Sequence, residues 1–361
     1  MSKMQEIRIA LFGKSSSGKT TLLASYFGNQ QRYSFEKEHG YHLAVEDTAK
    51  GNRLLSKYYE MEKGKFPLGT ETFEEYHFNF KVHGLTDPSF KIVWYDYPGG
   101  WWEENPKDEE EKFVRREAFK NLLQSHVGIL LVDGEQYNNS GTSYVNCLLD
   151  HFKNEIWKIK DFLASAGSPM TDFPKQWIIA LSKADILPES VTAEDFCKKI
   201  VSDGDDQLKG LANAIDSKDF CDQYMLISSV KGNDKKIINA HQYIGIQLIA
   251  PVVLLSVLDE LAKKVGRGSV HGIFKEIFNK LRGLVDFIDK IDDILPKKYQ
   301  YVTHLLRALH LQEGLEKGEM YFREKQAKAA QKGKIIDASI NAMKAELASD
   351  ASQRAFYRNQ L

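Results

Sequence analysis

The feature that most constrains this chain is the octet GKSSSGKT at residues 13–20. An apolar run at residues 7–12 precedes it, and Thr21 and two leucines follow, so it lies between a predicted strand and a predicted helix. Gly13 and Gly18 permit backbone conformations that direct successive N–H groups toward one point. The start of a helix adds partial positive charge at that point. The octet therefore predicts a phosphate-binding loop.

Each residue type of the loop has an expected role. Lys19 supplies a full positive charge to the outer phosphates, and Thr20 offers a hydroxyl to Mg²⁺. The alternative is a glycine-rich surface turn beside a lysine, which the flanking strand and helix disfavour. The predicted nucleotide-binding residues of the loop are Gly13, Lys14, Ser15, Ser16, Ser17, Gly18, Lys19, Thr20 and Thr21.

Composition narrows the class of protein. The chain has 361 residues and a net charge of −1, so it offers no general attraction to nucleic acid or anionic membranes. Three distant cysteines without a CxxC motif fit a reducing compartment, and we expect a cytoplasmic protein. The N-terminus is typical of a strand rather than a signal peptide. The most apolar stretch, residues 244–258, is too short for a transmembrane segment.

Continuous apolar runs predict strands that are buried on both faces. Together with intervening helical segments at 110–125 and 144–164, they predict a doubly wound α/β domain with a mostly parallel sheet over residues 1–265. Residues 73–82 alternate in polarity and predict an edge strand, and residues 45–66 predict an inserted helix. The apolar runs occupy residues 7–12, 92–95, 127–132, 178–181 and 225–227.

The pattern changes after about residue 266 to helical periodicity alone, including an apolar stripe that ends before Pro296. Residues 266–361 are therefore predicted to form an all-α C-terminal module. A stripe this wide needs burial, and three partners remain open: the first domain, a second copy of the chain, or another protein.

Polar residues follow three of the predicted strands. Asp96 ends one strand and can hold Mg²⁺, while the backbone N–H of Gly99 can bond a γ-phosphate. Asp185 follows another strand, where its carboxylate can accept both N1–H and the exocyclic N2–H₂ of guanine. Lys183 can lie along the plane of the base, and Val230 can present its N–H to guanine O6.

These motifs resemble the P-loop GTPases of the translation-factor and Ras-like class over roughly residues 6–250. The insert and the FPLGTE that follows it are also similar to bacterial double-GTPase families. The resemblance implies that GTP and GDP are the ligands and that Mg²⁺ is the cofactor. It assigns guanine recognition to Ser182, Lys183, Asp185, Ser229, Val230 and Lys231, metal binding to Thr20, Thr70 and Asp96, and catalysis to Lys19, Thr70 and Gly99.

The chain departs from this family at three places. In the guanine motif, Ser182 replaces the usual Asn or Thr. The first switch has no strong motif, so either Thr70 or Thr72 can close it. Thr70 is preferred because it follows Pro67 and Gly69 in a loop. Gly100 stands where Ras-like proteins carry the glutamine that orients the attacking water. Candidate replacements for the missing groups are Glu103 and Glu104 as water-orienting residues, and Arg53, Arg115 and Arg116 as arginine fingers.

Three functions remain open at this point. The first is a GTP-hydrolysing switch with slow intrinsic turnover, which a protein partner or self-association accelerates through the switch regions or the C-terminal helices. The second is a GTP-binding module with little hydrolysis that serves assembly. The third is an ATPase of another P-loop class, which Asp185 disfavours. Aromatic residues are not interleaved with Lys and Arg, so no nucleic-acid partner is expected.

Overall fold

The computed structural model describes residues 6–39, 41–82, 90–102, 104–165, 176–215, 223–233, 236–249, 253 and 354–358. The predicted helical module therefore lies outside the described residues over 266–353. Among the residues that are described, no helix combines the length and hydrophobicity that crossing a bilayer requires.

An eight-stranded sheet forms the centre of the fold, and a two-stranded ribbon lies beside it. The strands of the main sheet run in the order β10-β7-β6-β5-β1-β4-β3-β2, and β8 pairs with β9. The strands are β1 (Glu6–Phe12), β2 (Tyr41–Val45), β3 (Glu74–Val82), β4 (Phe90–Asp96), β5 (Val127–Val132), β6 (Gln176–Leu181), β7 (Gln223–Leu226), β8 (Lys231–Gly232), β9 (Ile237–Asn239) and β10 (Ala355–Tyr357).

Seven α-helices connect these strands within the described part of the chain. They are α1 (Lys19–Gln30), α2 (Tyr33–His39), α3 (Thr48–Glu62), α4 (Glu109–Leu123), α5 (Gly134–Ser140), α6 (Thr142–Ser165) and α7 (Ala193–Ala214). Helix α3 lies within the segment 45–66 that the sequence predicts as an inserted helix. The acidic run before α4 starts that helix, because Asp108 accepts a hydrogen bond from the Glu111 N–H at 2.8 Å.

The mostly parallel sheet is confirmed. Strand β1 pairs in parallel with β4 and β5, and the parallel ladder continues from β5 to β6 and β7. Every residue of β5 and β6 is buried, as continuous apolar runs predict for central parallel strands. Phe12 on β1 packs against Phe152 of α6 at 4.9 Å and against Trp177 of β6 at 5.1 Å between ring centroids.

Two strands of the main sheet, and both strands of the small ribbon, were not predicted from the sequence. Strand β2 pairs antiparallel with β3, so β3 is not the edge strand that its alternation suggested. Strand β10 pairs antiparallel with β7, so part of the segment predicted as all-α is a strand of the main sheet. The side chain of Phe356 on β10 is 8% exposed and belongs to the core beneath α7. Both strands are short, and their pairing is set by distant partners rather than by local pattern.

Candidate nucleotide site

The predicted phosphate loop joins β1 to α1. Gly18 is the N-cap of α1 with φ of +94°, Gly13 has φ of +155°, and Ser16 has φ of +63°. No described side chain caps α1. The N–H groups of a helix's first turn have no acceptor within the helix, and such groups bind anions. The loop therefore has the backbone form of an anion site. Ser17 Oγ is buried against Gly13 and has no partner among the described residues, so its side chain lies beneath the loop.

Lys19 lies at the centre of this loop and is 6% exposed. Its Nζ atom donates to the carbonyl oxygens of Gly13 at 2.6 Å and Lys14 at 2.9 Å. The ammonium also lies 5.2 Å from the ring centroid of Tyr97, whose hydroxyl accepts a hydrogen bond from the Gly13 N–H at 3.3 Å. Tyr97 therefore supports both the lysine and the loop, a role that the sequence did not indicate.

The three predicted metal ligands converge beside the loop. Thr70 Oγ1 lies 2.5 Å from Asp96 Oδ2 and 2.8 Å from Thr20 Oγ1, and Thr20 Oγ1 lies 3.2 Å from the same carboxylate oxygen. One carboxylate and two hydroxyls form an oxygen donor set of the kind that Mg²⁺ prefers. The residues present therefore fit the ion. The position of Thr70, rather than that of Thr72, completes this set.

Asp96 gives the site a pH dependence. Burial raises the pKa of this carboxyl above its usual 3.8, against the opposing effects of Thr70, Lys19 and Thr20. The folded protein thus holds the proton more tightly than the unfolded chain. The stability that this provides is complete below 3.8 and is lost as pH rises through the folded-state pKa.

Mg²⁺ binding should show the opposite trend, because it requires the ionised carboxylate. In the presence of GDP, the rise in unfolding temperature that Mg²⁺ causes should shrink as pH falls toward 3.8. Thermal unfolding with and without Mg²⁺ across this range measures the effect. The Asp96→Asn variant should show little Mg²⁺ stabilisation at any pH. An equal Mg²⁺ effect in the variant would show that Asp96 does not hold the ion.

Gly99 approaches the phosphate loop closely, at the start of a short 3-10 helix (Gly99–Trp102). A Cβ atom at this position would lie 2.5 Å from the Cα and 2.8 Å from the backbone N of Ser15. It would also lie 3.2 Å from Lys19 Nζ. The position is therefore restricted to glycine by the backbone of the loop, and not by its own φ.

Replacing Gly99 with alanine should weaken GTP binding by about tenfold, since overpacking of this kind costs about 1–3 kcal/mol and must displace the loop backbone. Titration with a fluorescent GTP analogue measures the change. Gly69→Ala is the matched control, because a Cβ atom there meets nothing within 4 Å. Equal affinities of the two variants would contradict the close approach.

The predicted guanine motif lies at the other end of the site, after β6. Asp185 accepts hydrogen bonds from the Ser228 hydroxyl at 2.5 Å and from the Gly232 N–H at 2.9 Å. These contacts hold both carboxylate oxygens in fixed directions. Ser182 donates its hydroxyl to the carbonyl of Val132 at 3.1 Å and thus ties the motif to β5.

The loop after β7 only partly matches its prediction. Ser229 accepts a hydrogen bond from the Ser25 hydroxyl of α1 at 2.5 Å, and Val230 is 5% exposed. Lys231 is exposed, and it lines an adjoining cavity of about 410 Å³ instead of the main one. The neighbouring Gly232, which was not predicted, contacts Asp185.

One cavity of about 610 Å³ joins these parts, from the phosphate loop to Asp185. Five predicted residues lie behind its wall or outside it: Gly13, Lys14, Ser17, Asp96 and Lys231. The predicted residues that line it are Ser15, Ser16, Gly18, Lys19, Thr20, Thr21, Thr70, Gly99, Ser182, Lys183, Asp185, Ser229 and Val230. The cavity thus brings together two motifs that lie more than 160 residues apart in the numbering.

A sequence model of the family described as Double-GTPase 2 matches residues 7–229. This range covers more than half of the chain and includes the phosphate loop, Asp96 and Asp185. The chain belongs to the Double-GTPase 2 family. The resemblance to P-loop GTPases of the double-GTPase type is thereby confirmed. No curated protein matches the sequence.

Three solved structures are similar to this Double-GTPase 2 chain at low sequence identity. The cytosolic domain of the FeoB iron transporter of T. maritima, in its GMPPNP form, has a TM-score of 0.30 and 11% identity, covering 95% of this chain and 98% of that chain. The GTP-bound Ski7 GTPase-like domain of S. cerevisiae has a TM-score of 0.34 and 17% identity, covering 63% of this chain and 43% of that chain. Methanosarcina barkeri Roco2 RocCORdC bound to GDP has a TM-score of 0.32 and 12% identity, covering 100% of this chain and 98% of that chain.

Two of the three arginines proposed as fingers, Arg115 and Arg53, are engaged elsewhere in this Double-GTPase 2 domain. Arg115 is 6% exposed, bonds Glu111 at 2.8 Å and the carbonyl of Glu104 at 2.6 Å, and lies over the ring of Trp101. Arg53 pairs with Glu74 at 3.3 Å. Neither arginine lines the cavity, so neither is placed to act on a phosphate in this arrangement. Of the two glutamates proposed to orient water, the one at position 103 lies outside the described residues.

Several residues that line the cavity of the Double-GTPase 2 domain were not predicted from the sequence. Glu135 could have been found, because it follows a buried parallel strand, where ligands gather in α/β sheets. Phe66 and Gly232 carry no such signal, since nothing in their local sequence distinguishes them from other loop residues. The unpredicted residues that line the cavity are Leu22, Phe66, Pro67, Gly69, Tyr97, Pro98, Gly100, Leu131, Glu135, Ile186, Ile227, Ser228, Gly232 and Asn233.

Proposed function

We propose that this protein binds GTP and GDP with Mg²⁺ and hydrolyses GTP to GDP and phosphate slowly, as a nucleotide-dependent switch. The observation that carries the proposal is the single cavity with Lys19 at one end and the fixed carboxylate of Asp185 at the other. A half-buried carboxylate that lines a cavity, with both oxygens held by Ser228 and Gly232, suits the two N–H donors of guanine. Adenine has no such pair, so its binding would leave an acceptor unpaired.

Hydrolysis is the second part of the proposal. Water attacks the γ-phosphorus, a new P–O bond forms, and the bond to the oxygen that bridges the β- and γ-phosphates breaks, leaving GDP and phosphate. Lys19 neutralises charge on the phosphates, and the Gly99 N–H offers a donor to the γ-phosphate. Bound Mg²⁺ would supply further charge stabilisation, held by Thr20, Thr70 and Asp96.

Slow turnover follows from what flanks Gly99. Gly100 has no side chain to orient water, and Trp101 packs toward Tyr97 and Phe119. A protein partner or a second copy of the chain would then accelerate turnover by supplying the missing groups, through the switch regions or the C-terminal segment. The same observation favours a second candidate, a GTP-binding module that serves assembly with little or no hydrolysis.

Nucleotide binding and turnover test these two functions. Fluorescent GDP and a non-hydrolysable GTP analogue should bind in the presence of Mg²⁺, and excess ATP should not displace them. Turnover per molecule should rise with protein concentration if self-association completes the site. Displacement by ATP would refute the guanine assignment, and binding without turnover at any concentration or with any partner would favour the assembly module.

A cytoplasmic location is also part of the proposal. No disulfide joins Cys147 and Cys197, the two cysteines within the described residues. This arrangement is compatible with a reducing compartment.

A further inference from the structure

We propose that the segment 133–135, Asp-Gly-Glu, positions Lys183 and thereby sets the affinity for guanine nucleotides. We call this segment the acidic clamp. It follows β5 directly and faces the guanine motif that follows β6. This inference rests on the proposed function, because it assigns a further part of the same base-recognition site.

Two ion pairs join the acidic clamp to Lys183. Lys183 Nζ lies 2.9 Å from Asp133 Oδ2 and 2.9 Å from Glu135 Oε2. The Asp133 side chain is 5% exposed, and its other oxygen accepts a hydrogen bond from the Glu135 N–H at 2.9 Å. That bond caps the start of α5, so both oxygens of Asp133 are committed and its carboxylate cannot rotate freely. A desolvated, oriented carboxylate is an effective partner for an ammonium group.

The backbone of the acidic clamp fits the guanine motif equally closely. A Cβ atom at Gly134 would lie 2.1 Å from the carbonyl oxygen of Ser182, so a side chain at this position would force the two loops apart. The carbonyl of Val132 accepts hydrogen bonds from both the N–H and the hydroxyl of Ser182, at 2.8 and 3.1 Å. The clamp and the motif therefore pack as one unit.

Lys183 itself has an unusual backbone. Its φ is +51°, in the left-handed region that few non-glycine residues adopt. Strain of this kind persists where the surroundings hold it, and it is typical of functional sites. The next residue, Ala184, donates its N–H to the carbonyl of Ile227 at 3.1 Å, while the acidic clamp holds the side chain of Lys183. The base-side lysine is thus fixed at both its backbone and its ammonium.

The charges of the acidic clamp and of Lys183 have a measurable consequence for nucleotide binding. Burial alone would lower the pKa of Lys183, but the hydrogen bonds to Asp133 and Glu135 outweigh it and raise this pKa, so the ammonium stays charged. Glu135 also lines the nucleotide cavity. Without Lys183, two uncompensated carboxylates would remain beside a polyanionic ligand and would repel it. The effect of neutralising Asp133 should therefore depend on whether Lys183 is present.

A double-mutant cycle on the full chain tests this dependence. Asp133→Asn keeps an oxygen that can cap α5 and removes the charge that faces Lys183. In the otherwise unmodified chain, this variant should weaken fluorescent GDP binding by about tenfold, chiefly through faster dissociation. Glu135→Gln should weaken it by about threefold, because the Glu135 pair is more exposed. In a Lys183→Met background, Asp133→Asn should leave GDP affinity unchanged or tighten it.

The exposed pair of Glu194 and Lys198 on α7 provides the control, and Glu194→Gln should bind GDP as the unmodified chain does. Thermal unfolding identifies any variant that fails to fold. If one fails, the rate at which GDP dissociates from the Glu135→Gln variant tests the inference instead. Equal losses from Asp133→Asn with and without Lys183 would reduce the clamp to a structural role and overturn the inference. Unaltered GDP binding by both single clamp variants would overturn it as well. Failure of the unmodified chain to bind GDP would refute the proposed function itself.

Discussion

Replacing Asp185 with asparagine should lower GDP affinity by about a hundredfold or more, since two hydrogen bonds to a half-buried charge are lost or weakened. The discrimination against ATP should fall with it. The structure holds both carboxylate oxygens in place through Ser228 and Gly232, so little reorganisation offsets the loss. Competition between fluorescent GDP and ATP measures both quantities. Asp205→Asn, on the exposed face of α7, is the matched control.

The affinity for inosine diphosphate (IDP) distinguishes the loss of a base contact from disorder of the loop. Inosine lacks the exocyclic N2 amino group of guanine, so the unmodified protein should bind IDP more weakly than GDP. In the Asp185→Asn variant that difference should disappear, because the carboxylate that accepted the amino group is gone. A variant that still prefers GDP over IDP by the original factor would show that Asp185 does not recognise the base.

Replacing Lys19 with alanine should abolish detectable GTP hydrolysis and weaken GTP binding by about a hundredfold or more, because a single preorganised charge at a transferring phosphate is worth about that factor. Lys19 is 6% exposed and lies between two loop carbonyls and the ring of Tyr97, so its ammonium is held within the loop. Binding titrations and phosphate release measure the two effects.

Guanosine, which carries no phosphate, provides the matched ligand for this variant. Its affinity should be the same in Lys19→Ala and in the unmodified chain, because the base is bound at the opposite end of the cavity. Lys198→Ala, on the surface of α7, controls for the loss of a lysine. An Lys19→Ala protein that retains GTP affinity would require another group to neutralise the phosphates and would contradict the assignment.

The local motifs were the most predictable part of the site. The phosphate loop is continuous in sequence, and its glycines are required by φ values of +155° at Gly13 and +94° at Gly18. Asp96 and Asp185 follow buried strands, so the rule that ligands gather at the carboxyl ends of parallel strands placed both at the same edge of the sheet. The roles of these residues remain predictions until nucleotide binding is measured.

Other features were not predictable, because they depend on contacts between distant parts of the chain. Arg115 was a candidate arginine finger, yet it is buried against Trp101 and the carbonyl of Glu104. Strands β2 and β10 are short, and their neighbours in the sheet decide their pairing. The predicted helical module over residues 266–353 lies outside the described part of the chain and stays a prediction.

Sequence by itself determined the sheet type, the phosphate loop and the carboxylates that follow the strands, since each depends on hydrophobic pattern or backbone freedom within a few residues. Only the tertiary structure placed Thr70 beside Asp96, and only it joined the acidic clamp to Lys183. The ion pairs of the clamp connect residues 50 and 48 positions apart, so packing between adjacent strands brings them together. Local sequence does not predict such contacts, because they depend on the order of the strands in the sheet and not on the spacing of residues along the chain.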